Sequence, residues 1–213
     1  PLAQSYLEII EKRILSFVRL PNNERIRFSM ISRLLWAKGV KEFEEASIII
    51  KSRCYKADFY LFGFTDNTYG SVTDNDLKEI INNGNLIYGG RTDNVSHQIG
   101  LSDCIVLPTF YNEGTPRILL EGASMGRPLI TTNTKGCKNV VIHGKNGFLC
   151  EPKDSVDLAN QIEKLILMSN YERMKFGLRG RKKMVLDYNE NIVIRKYEKC
   201  INNIMRLNFH KKI

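Results

Sequence analysis

Apolar positions along this chain follow two alternating rhythms. Short blocks rich in apolar and β-branched residues, at 26–32, 58–62, 85–88, 103–107, 128–131 and 148–150, have the length and flanking breakers of strands. Between them apolar residues recur at helical spacing over 40–51, 74–82, 116–125 and 155–168, and a brief helix capped by Asp93 runs to Gly100. In 155–168 the residues Leu158, Ile162, Leu165 and Ile166 share one side, as a helix lying on a core requires. Ahead of these, Leu7, Ile10, Ile14, Leu15 and Val18 predict a leading helix over 2–20, which the breaker Pro21-Asn-Asn23 ends. Everything beyond 170 reads as helix.

Strands separated by helices of this length imply right-handed crossovers and a parallel sheet covered on both faces, an α/β doubly wound, Rossmann-like fold. The expected division is a leading helix and linker over 1–25, the α/β unit over 26–170, and C-terminal helices over 171–213 that pack back on it. In such sheets ligands bind beyond the carboxyl ends of the strands. The turns after Ile31, Phe62, Tyr88 and Leu107 are therefore where chemistry is expected.

The last of these turns carries the most. Glu113-Gly-Thr-Pro-Arg-Ile-Leu-Leu-Glu121 follows the apolar stretch Cys104-Ile-Val-Leu-Pro108 directly. Thr115 suits an N-cap and Pro116 the first helical position, so a helix is expected to start there and to aim its free N–H groups at the preceding chain. That is a place for an anion. Glu121 lies roughly 7.5 Å farther along the helix at about 1.5 Å per residue. Carboxylates accept bonds from sugar hydroxyls and repel phosphate, so an acid on each flank suits hydroxyls at both ends of a ligand with phosphate between them. A nucleotide sugar has that layout.

Three other strand ends add to it. Ser32-Arg-Leu-Leu-Trp-Ala-Lys-Gly39 places Arg33 and Lys38 five positions apart, a bidentate donor and a compact charge that suit a diphosphate. Gly63 in Leu61-Phe-Gly-Phe64 and Gly90 before Arg91 in Ile87-Tyr-Gly-Gly-Arg91 permit close approach of ligand to backbone. His97, His143 and His210 lack metal-ligand spacing, and no Walker-type loop, Asp-x-Asp pair or Gly-x-Gly-x-x-Gly run is present.

Composition narrows the class. The 213 residues carry 32 Lys and Arg against 23 Asp and Glu, a formal charge of +9. The basic stretches Arg179-Gly-Arg-Lys-Lys183 and His210-Lys-Lys212 suit peripheral contact with an anionic membrane. No apolar run is long enough to cross a bilayer. Without a nucleic-acid motif or stacking platform, no nucleic-acid partner is expected. The five single cysteines favour reduced thiols and a cytoplasmic setting. Cys104 is expected in the core, with Cys137 and Cys150 near turns and partly exposed. The opening Pro1-Leu-Ala-Gln reads as a cut within a longer protein.

Taken together, these residues resemble the E-x7-E signature of retaining glycosyltransferases of family 4, which have the two-domain GT-B fold. The likeness spans about residues 26–170 and includes the Arg33 and Lys38 loop, Gly122-Ala-Ser-Met-Gly-Arg-Pro-Leu-Ile130 and Gly144-Lys-Asn-Gly-Phe-Leu149. It implies the C-terminal, nucleotide-sugar-binding domain, with the acceptor domain largely outside this chain. By position, Arg33 and Lys38 hold the donor diphosphate, Glu113 meets the sugar hydroxyls and Glu121 the ribose. Gly114, Thr115, Arg117 and Ile118 offer backbone N–H groups, Pro116 has none to offer, and Gly90 and Arg91 flank the base.

The family often has Gly where this chain has Pro116 and an apolar residue where it has Arg117. The Gly-Thr-Pro-Arg variant resembles transferases of bacterial capsule, O-antigen (lipopolysaccharide) and glycan assembly that use UDP-sugars. The resemblance thus implies metal-independent, configuration-retaining transfer from a UDP-hexose or UDP-N-acetylhexosamine, without a cofactor, to a polyprenyl-linked or polysaccharide acceptor at the inner face of the plasma membrane. Two other readings stay open: a nucleotide-sugar-binding domain inactive as this fragment, and a nucleotide-sugar epimerase of the same fold.

Overall fold

The computed structural model of the protein describes residues 25–66, 68–83 and 85–209. The expected leading helix over 2–20 and the basic His210-Lys-Lys212 lie outside the described residues. Six parallel strands form one sheet in the order β3-β2-β1-β4-β5-β6, with β1 at Ile26–Ile31, β2 at Ala57–Phe62, β3 at Ile87–Tyr88, β4 at Cys104–Leu107, β5 at Leu129–Thr132 and β6 at Gly147–Cys150. This is the doubly wound, Rossmann-like α/β arrangement. Its strand order reverses between β1 and β4, which opens a crevice beyond their carboxyl ends.

The connecting helices are α1 (Val40–Ser52), α2 (Asp74–Asn82), α3 (Val95–Leu101), α4 (Arg117–Ser124), α5 (Lys135–Lys138), α6 (Ser155–Leu167), α7 (Asn170–Asp187) and α8 (Glu190–Phe209). Helix α1 packs against α6, and α4 against α7. Along α8, Ile194, Tyr197, Ile201 and Ile204 are exposed. Among the described residues no helix is long and apolar enough to cross a membrane.

Strand β4 is buried along its whole length, which explains why Cys104-Ile-Val-Leu107 reads as an unbroken apolar block rather than an alternating one. On β1, Phe28 stacks on Phe59 of β2 at 5.4 Å between ring centroids, and Phe43 of α1 meets Phe59 edge-on at 5.5 Å. These aromatic contacts fix α1, and with it the loop that joins β1 to α1. At the opposite, amino end of β4 the charge is structural. Buried Asp103 accepts the Arg27 N–H at 2.9 Å, and burial raises its pKa against the pull of Arg173, Arg127 and Arg27.

Two local expectations need correction. Helix α3 is capped by Asn94, not Asp93: the Asn94 side chain accepts the His97 N–H at 3.0 Å, one turn into the helix. Cys137 and Cys150 are buried rather than partly exposed, because Cys137 lies in α5 against Thr131 of β5 and Cys150 ends β6, which pairs with β5. Burial also holds the Cys104 thiol well above its ordinary pKa and pushes Cys150 up to about 12. A thiol-specific reagent at pH 8 should therefore modify Cys54 and Cys200, which are exposed, and reach the other three only after unfolding. Peptide mapping after brief labelling checks this.

Candidate functional site

The first wall of the crevice is built by the loop leaving β1. A 3-10 turn at Trp36–Lys38 ends in Gly39, whose φ is +86°. A Cβ at Gly39 would stand 2.3 Å from the Pro108 carbonyl oxygen, so only glycine lets this loop lie against the exit of β4. The two loops are then stapled: the Ala37 carbonyl accepts N–H bonds from Phe110 at 2.9 Å and Tyr111 at 3.0 Å.

This staple places Lys38 against Glu113. The ammonium Nζ lies 2.6 Å from Glu113 Oε1, and the two side chains are only 12% and 23% exposed. Lys38 Nζ also stands 5.2 Å from the centre of the Tyr111 ring. Thr109 Oγ1 is 3.3 Å from the same carboxylate oxygen. Among the described residues, Glu113 Oε2 accepts no hydrogen bond.

The helix behind Glu113 starts one residue later than expected. Pro116, with φ −64° and ψ 127°, is the N-cap, and α4 begins at Arg117. The Pro116 carbonyl accepts the N–H groups of Leu119 and Leu120. Thr115 does not cap; its hydroxyl accepts a long bond of 3.4 Å from Asn139 Nδ2. Pro116 has no N–H, and among the described residues the N–H groups of Gly114, Thr115, Arg117 and Ile118 donate to no other backbone group. They remain for an anion at the positive end of the helix.

Gly136, which carries no motif or strand-end signal in the sequence, supports this loop from behind. A Cβ there would stand 2.1 Å from the Gly114 carbonyl oxygen, whereas a Cβ at Gly114 would meet nothing within 4 Å. The Glu113-Gly114 backbone is therefore backed by α5 and open in front.

Glu121, one turn into α4, accepts a bond from Arg117 Nε at 2.8 Å. With Arg117, Ile118, Gly63 and Arg91 it lines a cleft of about 550 Å³. Phe64 is a further lining residue, with the Arg91 guanidinium 5.3 Å from its ring centre. Its signal in the sequence was an aromatic directly after the glycine that ends β2. Gly90 has φ +71°, and its carbonyl accepts the Gly63 N–H at 3.0 Å, which ties the ends of β2 and β3 together. Arg33 is exposed and takes no part in the Lys38–Glu113 pair; its charge helps lower the pKa of Asp66, after the larger effect of hydrogen bonds from Thr68.

Each acid thus has a cation against it, Lys38 on Glu113 and Arg117 on Glu121. The N-terminus of α4 lies between the two acids in the chain, while the cleft is lined by Glu121 and not by Glu113 or Lys38. Such an arrangement can bind a ligand with hydroxyls at its ends and phosphate in its middle. Among the described residues no three His, Cys, Asp or Glu side chains gather as metal ligands.

Comparison with known proteins agrees with this architecture. The family model described as Glycosyl transferases group 1 matches residues 11–183. The chain is 29% identical over 197 residues to the Campylobacter jejuni N,N'-diacetylbacillosaminyl-diphospho-undecaprenol alpha-1,3-N-acetylgalactosaminyltransferase, covering 92% of this chain and 50% of that protein. It is 32% identical over 141 residues to the Escherichia coli UDP-Gal:alpha-D-GlcNAc-diphosphoundecaprenol alpha-1,3-galactosyltransferase, covering 63% of this chain and 35% of that protein. Among solved structures, the C-terminal domain of a Glycosyl Transferase Group 1 family protein from Francisella tularensis superposes with a TM-score of 0.66 at 20% identity, covering 82% of this chain and 97% of that one. The chain spans 50% of the length of the Campylobacter relative and 35% of that of the Escherichia coli relative.

Proposed function

The chain belongs to the group 1 glycosyl transferases, and from that premise we propose that it binds the nucleotide-sugar donor of a transferase, a UDP-hexose or UDP-N-acetylhexosamine. What supports this reading is Glu121 in the cleft beside Gly63 and Arg91, Glu113 paired with Lys38, and the N-terminus of α4 between the two acids in the chain. Glu121 would accept the ribose hydroxyls and Glu113 those of the sugar. The free N–H groups of 114–118, Lys38 and Arg33 would take the diphosphate. The UDP-Gal in the name of the Escherichia coli relative supports a UDP-sugar, and the undecaprenol diphosphate in the names of both relatives supports a lipid-diphosphate acceptor.

In this reading no metal neutralises the leaving diphosphate; Lys38, Arg33, Arg117 and the helix end do so as charge develops. The sugar keeps its anomeric configuration because the acceptor enters on the face from which the diphosphate departs. The acceptor is held by residues outside the half of the relatives' length that this chain spans, and it is a lipid-linked or polysaccharide glycan.

Titration calorimetry tests the donor half directly. UDP should bind more tightly than about 1 mM, the affinity that corresponds to roughly −4.1 kcal/mol. Glu121→Ala should weaken UDP by about tenfold, the scale of a lost charge-assisted hydrogen bond, while Glu113→Ala should spare UDP and remove the preference for a UDP-sugar over UDP. No heat with UDP at millimolar concentration, or identical profiles for the two variants, would refute the assignment.

A further inference from the structure

Thr109 carries a hydroxyl that neither the E-x7-E pattern nor the strand ends singled out. It is fully buried at the foot of the loop that presents Glu113. Its Oγ1 accepts the Tyr111 N–H at 3.2 Å and has two acceptors for its one proton, the Ala37 carbonyl at 3.2 Å and Glu113 Oε1 at 3.3 Å. The Ala37 carbonyl already receives the Phe110 N–H at 2.9 Å and shares the Tyr111 N–H with Thr109 Oγ1, so it is a neutral acceptor already in use. Glu113 Oε1 is anionic and is the stronger acceptor. The negative charge directs the Thr109 proton to the carboxylate.

We propose that Thr109 is a positioning residue for sugar recognition: with Lys38 it holds Glu113 Oε1, so that Oε2 alone faces the donor's sugar hydroxyls. This rests on the donor-binding reading above. The backbone that carries this hydroxyl is fixed to the sheet, because the Thr109 carbonyl accepts a bond from the Thr132 hydroxyl and the Leu107 carbonyl one from Thr131 at 2.6 Å. A glutamate has broad freedom about its last torsion. Holding that torsion before the sugar arrives spares the complex the ordering entropy.

The test compares UDP, UDP-glucose and UDP-N-acetylgalactosamine by calorimetry on the wild-type chain and on Thr109→Val, Thr109→Ala and Thr109→Ser. Valine should lower affinity for the preferred UDP-sugar about fivefold, part of the worth of a charge-assisted bond, and leave UDP unchanged. Serine should restore the wild-type preference. The loop should survive the valine change, since Tyr111 keeps its bond to the Ala37 carbonyl, and alanine gives the same reading without the added methyl. A Thr109→Val and Thr109→Ala pair that keeps the wild-type ratio of UDP-sugar to UDP affinity overturns the inference. Equal loss of UDP and UDP-sugar binding in both overturns it too, by assigning Thr109 to loop stability. A wild-type chain that binds UDP as well as every UDP-sugar refutes the sugar-facing role of Glu113 itself, and the inference with it.

Discussion

Gly39→Ala should lower the unfolding free energy by about 3 kcal/mol or more, an alanine at positive φ costing roughly 1–2 kcal/mol before any clash. The clash is the larger part. The new methyl would lie 2.3 Å from the Pro108 carbonyl oxygen and 2.7 Å from its carbonyl carbon and from Cγ, and two of these three atoms are backbone that cannot turn aside. Either the β1 loop lifts from β4 or β4's exit moves, and both break the bonds from Phe110 and Tyr111 to Ala37. Because those bonds set Lys38 against Glu113, UDP-sugar affinity should fall with stability. Gly144→Ala is the matched control: its φ is +71°, yet a Cβ there meets nothing within 4 Å. It should cost only about 1 kcal/mol, the conformational part alone. Urea midpoints that coincide for the two variants would show that the loop contact contributes nothing.

The contrast between Gly39 and Gly144 shows where sequence is a sufficient guide. Gly144-Lys-Asn-Gly147 announces a turn through local backbone demands, and it forms one, with Gly144 N–H bonded to the Gly147 carbonyl at 2.9 Å. The strands were legible for the same local reason, since burial on both faces leaves near-continuous apolar blocks. Helix starts were less so. Thr115 and Pro116 each satisfy a local rule, but Pro116's extended ψ leaves the first helical carbonyl to itself and Thr115's hydroxyl to Asn139. At Asp93-Asn94 two residues can cap, and only the reach of Asn94 Oδ1 to His97 decides.

The crevice was half legible. Glu113, Glu121 and Lys38 stand out as candidates in the sequence because strand ends collect chemistry in this fold. Their partners do not. Lys38 and Glu113 are 75 positions apart, and their pairing depends on a crossover and a staple that no window of sequence contains. Thr109 and Gly136 meet Glu113 Oε1 and the Gly114 carbonyl through tertiary contacts, and they leave no periodic trace. Arg117–Glu121 is the exception, because its i, i+4 spacing alone makes the pair foreseeable.

Lys38→Met should weaken UDP binding about 30-fold, close to 2 kcal/mol, while leaving uridine unchanged. Two effects combine in that figure. The variant removes a cation from the diphosphate, and it strips the counter-charge from a carboxylate that is only 23% exposed and would then repel the phosphates. Glu113→Gln separates them. Alone it should change UDP affinity by less than about threefold, since the neutral amide keeps a hydrogen bond to Lys38. In the double variant the repulsion is absent, so UDP affinity should recover to within about tenfold of wild type, a coupling on the order of 1 kcal/mol. The remaining deficit measures direct contact between Lys38 and phosphate. Full recovery in the double variant would mean that Lys38 acts on UDP only by neutralising Glu113, and no recovery would mean that the 2.6 Å pair is irrelevant to phosphate binding. Partial recovery is what a lysine with three donors should give, one kept on Glu113 Oε1 and the others turned to the diphosphate.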